Sequence, residues 1–595
     1  MSNNKRALKG GEFLIKDVDY TQVFIPEEFT EEQKMIADSC RDFIQQRVLP
    51  NVEELDKHNL DLLIQLMKEA GEMGLLGISV PEEYGGFGQN FVTAMRALEE
   101  IGKGFSFAVA YAAHTGIGTL PILYFGNQEQ KEKYLPKLAT GEYFGAYALT
   151  EPEAGSDANA GKTKAVLSED GKYYILNGTK MWITNAGIAD VFIVYAKIDD
   201  DPNLSAFIVE KNTPGLKLGP EEEKMGIRGA STRQIFFEDA KVPVENLLGE
   251  RNKGFKIALY ILNLGRIKLA GATIGAAKAA INYSVDYAKQ RKQFGTYIAN
   301  FGAIKHKLAE MVIRTFVTES LTYRASQNIE DEEEALKQEG MDKDRAAIEA
   351  IRQFAIEASI AKVFGSEALD YIVDEAVQIH GGMGYSAEMP VERAYRDSRI
   401  NRIFEGTNEI NRLVIVGELL KRGLKGEYDL LTPAKEVAKE LMAIPDFGTG
   451  SEDYFEKKHK LVKNFKKAIL MVAGAALQKF GQAFQDEEEV IMNVADMLML
   501  TYATESTLLR VEKLSKIYDP EKLAIYKDIL DVFSFDTAWK MYKIGVDTVN
   551  AFAKGDEQQA MLMGMKRFTK VDPVNTKDAR RRIADKLIED GFYNF

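Results

Sequence analysis

The stretch KYYILNGTKMWITNAG (residues 172–187) decides the architecture. β-Branched and aromatic residues recur here with a period of two around an Asn-Gly turn signal, in a chain that elsewhere repeats at three and four. The runs DVFIVYAKI, LSAFIVEK and RQIFFEDAKVP that follow share the pattern and are bounded by Asp/Pro and Gly signals. Together they predict a small antiparallel β-domain, with DDDPNLS (residues 199–205) as one of its exposed turns.

On both sides the periodicity is helical. TEEQKMIADSCRDFIQQRV opens on an N-cap-like Thr30, and DLLIQLMKEAGEMGLLGISV repeats its apolar spacing. KGFSFAVAYAAHTGIGTLPILYFG is apolar on almost every side, as a buried helix is. Past the β-region, two long segments are dense in Ala and Gly, which lets helices pack closely in a bundle. NIEDEEEALKQEGMDKDR (residues 328–345) reads as a solvated linker or an exposed helix end. The predicted chain is therefore mainly α: an N-terminal arm at 1–30, a helical domain at 31–145, the β-domain at 146–250, a helical bundle at 251–425 and a further helical region at 426–595.

Bulk composition narrows the function classes. At 595 residues, 45% hydrophobic and 28% charged, the chain is that of an ordinary globular protein, and its net charge of −14 argues against a nucleic-acid surface. One cysteine, Cys40, excludes an internal disulfide. Five histidines without HxxxH or HExxH spacing argue against a metal enzyme, so no metal is expected. No signal peptide and nothing near the ~20 apolar residues of a membrane span is expected, which makes a cytoplasmic location the default. KKHKLVKNFKKAILMVAGAALQKF is basic and amphipathic; it reads either as a core helix with a lysine face or as a weak peripheral membrane contact.

Several short stretches carry chemistry. YALTEPEAGSDA (residues 147–158) ends a strand and enters a Gly-Ser turn, whose free N–H groups and hydroxyls suit an anion or a heterocycle; a plain β-turn is the alternative. KMWITNAG (residues 180–187) places Trp182 and Thr184 on one side of a strand, able to stack on a ring and bond to its edge, although a strand Trp is more often core. RKQFG (residues 291–295) and QIHGGMG (residues 378–384) end helices with glycines and could meet phosphates; neither is a dinucleotide fingerprint of the strand–helix kind. Finally, RIFEGTNEINRL (residues 402–413) sets Glu405 before a glycine at the start of a helix, either as an acid welcomed by the helix dipole or as a reacting group.

These five stretches, in this order and at about this spacing, resemble the acyl-CoA dehydrogenase flavoproteins over about residues 30 to 425. The region up to residue 595 is similar to the C-terminal extension of the very-long-chain subgroup. The resemblance implies an N-terminal helical domain, a middle β-domain and a four-helix bundle enclosing FAD and an acyl-CoA. It implies that Tyr147, Leu149, Thr150, Gly155, Ser156, Trp182, Ile183 and Thr184 line the flavin. Arg291 and Phe294 would reach the FAD of a neighbouring subunit, hence at least a dimer, and Gln378, Gly381 and Gly382 would contact the ADP half of FAD. Thr407 and Glu409 would also sit on FAD, while Ser156, Asn263, Arg266, Phe404 and Gly406 would face the substrate.

The implied chemistry is α,β-dehydrogenation, with a carboxylate taking the Cα proton while the β-hydrogen leaves as hydride. Some members of the family hold the base on a bundle helix at the position of Gly265; glycine cannot be a base, so the resemblance assigns the role to Glu405. Phe301-Gly302 departs from the polar pair of several shorter-chain members, so no contact is assigned there. Small residues over 108–118 leave room for a long acyl chain or simply for close helix packing. Electron-transferring flavoprotein is the implied acceptor in fatty-acid β-oxidation. The alternatives are an acyl-CoA oxidase yielding peroxide and a flavin-binding assembly protein.

Overall fold

A computed structural model describes residues 6–442 and 453–595; the first five residues of the N-terminal arm lie outside that range. Thr30 caps the helix Glu31–Phe43 with a reciprocal box: its side chain accepts the Gln33 N–H at 3.2 Å, and its own N–H donates to Gln33 Oε1 at 3.0 Å. Further helices lead to Gln128–Thr140. The apolar run after Lys103 is not one helix. Phe105, at φ 52, starts Ser106–Ala112; a π-helical stretch Ala113–Gly118 follows, and Leu120–Phe125 completes it. Such widened turns recur beside functional sites.

The β-domain is hydrogen-bonded in the order Leu216–Glu221, Thr232–Pro243, Tyr173–Thr184, Lys164–Leu167, Val191–Ile198, Ser205–Glu210 and Leu247–Leu248, with Gly145–Ala148 alongside Val191–Ile198. The expectation of a purely antiparallel domain is corrected: Gly145–Ala148 and Lys164–Leu167 both run parallel to Val191–Ile198. The chain leaves Ala148 through a long loop instead of a hairpin, which permits a same-direction partner.

The alternation within residues 172–187 also breaks. Pairing of Tyr173–Thr184 with Thr232–Pro243 slips between Leu176 and Gly178 and again between Lys180 and Ile183. A bulge therefore offsets Trp182 from Thr184, and simple alternation does not put them on one face.

Four long helices, Gly254–Gln290, Gly302–Gln338, Ala355–His380 and Asn408–Leu424, form the bundle. A Cβ on Gly275 would collide with the Glu99 carbonyl, and one on Gly102 with that of Ala272, so glycine sets how closely bundle and N-terminal domain meet. Residues 328–338 continue the helix Gly302–Gln338 with Ile329, Glu332 and Leu336 buried, so of the two readings the helix end is observed, with an inner face.

The last region is helical from Leu431–Met442 and Tyr454–Phe480 to Thr576–Asp590. Tyr454–Phe480 buries Leu461, Val462, Phe465 and Ile469, while Lys458, Lys466 and Lys467 pair with Asp531, Glu505 and Glu440. Its apolar face is thus spent inside the protein, which is the core-helix reading. The N-terminal arm is clamped between the bundle and this region: Arg422 donates to the Gly10 carbonyl at 3.0 Å, and Arg510 pairs with Glu27 at 2.7 Å.

Two segments, Ser106–Phe125 and Gly254–Gln290, do have the length and apolarity of a membrane span, contrary to the expectation that none comes near. In their most apolar windows 78% and 67% of residues are buried within the protein, as in core helices.

Candidate active site

Glu405 sits in a kink ahead of a helix. The Ile403 and Phe404 N–H groups donate to the Ile400 carbonyl at 2.8 and 3.1 Å. The backbone then turns left-handed at both Glu405 (φ 59) and Gly406 (φ 80), and Asn408–Leu424 begins behind its cap Thr407, whose hydroxyl accepts the Ile410 N–H at 3.2 Å. A glutamate pays for positive φ, so its surroundings must hold it there. Arg266 Nε donates to the Glu405 carbonyl at 3.2 Å. Asn411 Nδ2 donates to the same oxygen at 3.3 Å and to the Gly406 carbonyl at 2.8 Å, where Lys362 Nζ joins it at 2.8 Å. Among the described residues no acceptor takes the Glu405 N–H.

The side chain turns away from the helix it precedes. A Cβ on Gly265 would lie 2.6 Å from Glu405 Oε2 and 2.8 Å from its Cδ, so the glycine at 265 makes the room that the carboxyl fills. Oε2 is shut off from solvent and has no hydrogen-bond partner among the described residues, although the residue as a whole stays partly accessible. Burial raises the carboxyl from 4.5 to about 7, outweighing the opposing pull of Arg266 and Lys362. The same burial presses Arg266 down to about 10 and Lys362 to about 8. Tyr147 lies within reach of the Glu405 charge, its buried hydroxyl facing that of Tyr195. Asn263 accepts from Arg266 at 2.8 Å, so both residues are engaged beneath Glu405.

The loop after Ala148 is locked to the strand Tyr173–Thr184 by a pair the sequence reading passed over. Glu151 and Lys180 form a buried ion pair at 2.6 Å; Lys180 also donates to the Leu149 carbonyl at 3.1 Å. The Met181 N–H donates to the Thr150 carbonyl at 2.9 Å. The available signal was a lysine at an inward strand position, where the period demands an apolar residue. This lock sets Tyr147, Leu149 and Thr150 beside Trp182 and Thr184. Trp182 is 54% exposed at φ 61, whereas the Ile183 side chain is in the β-core, leaving only its main chain for a ligand. Gly155 and Ser156 are exposed at the loop tip, and a Cβ on Gly155 would meet nothing within 4 Å.

The remaining residues lie elsewhere. Tyr287 stacks on His380 at 4.3 Å, pinning the ends of Gly254–Gln290 and Ala355–His380 together. That contact is about six turns, roughly 33 Å, along the helix from Gly265. Next to it are Arg291, Gln378, Gly381 and Gly382, all exposed, and the hairpin tip Phe294-Gly295, where Phe294 is 95% exposed at φ 53. A helix C-terminus presents carbonyls, so the positive charge near Gly381-Gly382 is that of Arg291. Thr407 and Glu409 stay with the first group, as does Phe404, which is partly buried.

The two groups fit the two halves of FAD. A half-exposed tryptophan strained on a bulge makes a ring-stacking wall, and glycines with open space around them admit a ligand's close approach. Among the described residues no cluster of His, Cys, Asp or Glu could hold a metal.

Family models match most of the chain. Those of the acyl-CoA dehydrogenase N-terminal, middle and C-terminal domains match residues 30–142, 146–240 and 252–420, and a second C-terminal-domain model matches 464–567. A probable acyl-CoA dehydrogenase of Bacillus subtilis (strain 168) is 48% identical over 581 residues, covering 98% of each chain. The very long-chain specific mitochondrial enzyme of Homo sapiens is 39% identical over 74% of this chain and 69% of its own. A crystal structure of an acyl-CoA dehydrogenase complexed with FAD from Bacillus anthracis superposes with a TM-score of 0.96 at 48% identity, over 99% of this chain and 100% of that one. This chain belongs to the acyl-CoA dehydrogenase family, FAD-dependent oxidoreductases, and carries the additional C-terminal helical domain.

Proposed function

We propose that the protein oxidises saturated acyl-CoA thioesters to trans-2-enoyl-CoA, with Glu405 removing the Cα proton. The carrying observation is the Glu405 carboxyl itself: buried, with one oxygen unpartnered, raised to about 7 and seated in the space that Gly265 leaves. A base tuned near neutral pH accepts a proton at a smaller driving-force penalty than an ordinary carboxylate. As the proton leaves, charge gathers on the thioester oxygen, and the Glu405 N–H is a donor free to meet it. Ser156, Asn263, Arg266, Phe404 and Gly406 form the substrate side, with Arg266 positioning Glu405 through its carbonyl.

FAD, when bound, supplies the acceptor for the β-hydride. Tyr147, Leu149, Thr150, Gly155 and Ser156 would hold its flavin half with the strand residues Trp182, Ile183 and Thr184 and with Thr407 and Glu409. Arg291, Phe294, Gln378, Gly381 and Gly382 would hold the ADP half. Because roughly 30 Å separates the two groups within one chain, the second group comes from a partner copy, and the working unit is a homodimer. The small-residue walls near the base and the similarity to the human very long-chain enzyme support long acyl chains. Electron-transferring flavoprotein is the acceptor this reading expects, in fatty-acid β-oxidation at a cytoplasmic location.

The test is flavin bleaching by butyryl-, octanoyl- and palmitoyl-CoA without oxygen. Bleaching by palmitoyl-CoA supports the reading, and Glu405→Gln should keep its flavin yet not bleach. Near-normal bleaching by that variant would overturn Glu405 as the base. Stoichiometric peroxide under air would replace the flavoprotein acceptor with oxygen, and no bleaching by any acyl-CoA would leave a flavin-binding assembly role.

A further inference from the structure

Beyond Glu405 the helix Gly254–Gln290 carries an interior stripe. Gly265, Ala272, Ala276, Ala279 and Tyr283 follow one another at seven, four, three and four residues, which keeps them on one face. Each is only partly buried although the helix is inside the protein. From Ala272 to Tyr283 this face floors a cavity of about 90 Å³ that opens toward solvent. The cavity begins about 10 Å from Gly265 and ends about 27 Å from it, in line with the base. Ala108 and Val109 form the opposite wall, and Phe105 and Ile227 also line it.

Phe105 and Ile227 share an anomaly. Both have left-handed backbones, Phe105 at φ 52 and Ile227 at φ 48. That region is costly for any side chain and most of all for a β-branched one. The structure spends several polar groups to hold them there. Asp397 Oδ1 accepts the Ile227 N–H at 2.5 Å. The Gly229 N–H donates at 3.1 Å to the hydroxyl of Ser106, the residue after Phe105. Ser106 in turn donates to Asp56 at 3.4 Å, and Asp56 pairs at 2.7 Å with Arg393, whose guanidinium lies 5.7 Å from the Phe105 ring. Glycine would take both conformations without strain. What glycine would lack is the two side chains lining the cavity.

We propose that Phe105 and Ile227 are specificity-determining residues: together they form the end wall of the acyl channel and set the longest saturated chain that the site accepts. The proposal rests on the acyl-CoA reading above and adds to it the residues that stop the chain. Their backbones are strained because a bulky group has to stand where the two segments cross the channel.

The experiment uses the FAD-loaded, full-length protein with Phe105→Gly, Ile227→Gly and the double variant. The readouts are kcat/KM for octanoyl-, palmitoyl- and behenoyl-CoA, together with the Tm. The ratio of kcat/KM for behenoyl-CoA over palmitoyl-CoA should rise about tenfold in the double variant, the scale on which a hydrophobic pocket discriminates chain length. The Tm should fall, because the lost burial of two large side chains exceeds the backbone strain that glycine relieves. An unchanged ratio in variants that fold and turn over palmitoyl-CoA overturns the end wall while leaving the function standing. Should the glycine variants fail to fold, Phe105→Leu and Ile227→Val keep the backbone and shorten the side chains, and must move the ratio the same way. Absence of turnover by the unmodified protein with all three substrates would sink the function and this proposal with it.

Discussion

Two regions bury charge, and they do it differently. Around Glu405 an acid is buried with one oxygen unpartnered, while the nearby cations Arg266 and Lys362 are spent on main-chain carbonyls. Where the C-terminal domain meets the bundle, the buried charges at Glu505 and Glu319 are paired. Glu505 pairs with Arg324 at 2.9 Å and Lys466 at 2.5 Å. A second chain of contacts runs from Glu27 through Arg510, Glu319 and Lys278 to Glu99, joining the arm, the C-terminal domain, the bundle and the N-terminal domain. A closed network can hold a structure together but has little capacity left for a reaction. An acid left half-satisfied costs stability and is poised to take a proton.

The largest effect that would break this contrast is on turnover. Glu405→Gln keeps the shape and loses the basicity, so kcat should fall by about 10³–10⁴-fold with FAD retained, measured by stopped-flow bleaching. A loss under tenfold would place the base elsewhere. Next is Glu505→Ala, which strands Arg324 and Lys466 in the interior. Denaturant unfolding should show a destabilisation of about 3–5 kcal/mol, with the activity per folded molecule intact. If activity falls and stability does not, the network is not the structural one described.

Gly265→Ala sharpens the comparison from the other side of the base. The added methyl would stand 2.6 Å from Oε2, so the carboxyl must shift, and kcat should drop about 10²-fold with little change in Tm. The smallest effect concerns pH. The Glu405 carboxyl titrates near 4.5 when unfolded and near 7 in the fold, so ionising it costs stability. The penalty is absent below about 4.5, grows as pH rises through about 7 and is constant above. Glu405→Gln should therefore be more stable than the parent at pH 8, by an amount of order 2 kcal/mol, and no more stable at pH 4. In the parent, kcat/KM should climb as pH passes about 7 and then level off.

The molecule shows which features were legible in advance. The cap at Thr30, the core helix under KKHKLVKNFKKAILMVAGAALQKF and the order of helical and β-regions follow from short-range patterns, and the structure carries each of them. The antiparallel expectation failed for two strand pairs because direction depends on how the chain returns, which no local period records. Trp182 and Thr184 lost their shared face for a similar reason: a bulge is set by the partner strand. Glu151 and Lys180 went unread although Lys180 stands at an inward strand position, since its partner 29 residues away on a loop leaves no mark in the local period.

By itself, then, the sequence determined the residue kinds and their order: a period-two domain between helical blocks, an Arg-x-x-Phe-Gly hairpin, and a glutamate before a glycine. These are properties of neighbours along the chain, where periodicity and turn chemistry act. Only the tertiary structure decided which protonation form the surroundings of Glu405 favour. The dipole of its own helix favours the charged form; burial against Gly265, on a helix far away in sequence, favours the neutral form and wins, because desolvation acts through space on whatever packs there. The resemblance had already placed Arg291 and Phe294 on a neighbouring subunit's FAD; the distance that separates them from the Glu405 group within one chain was measurable only along the folded helix Gly254–Gln290.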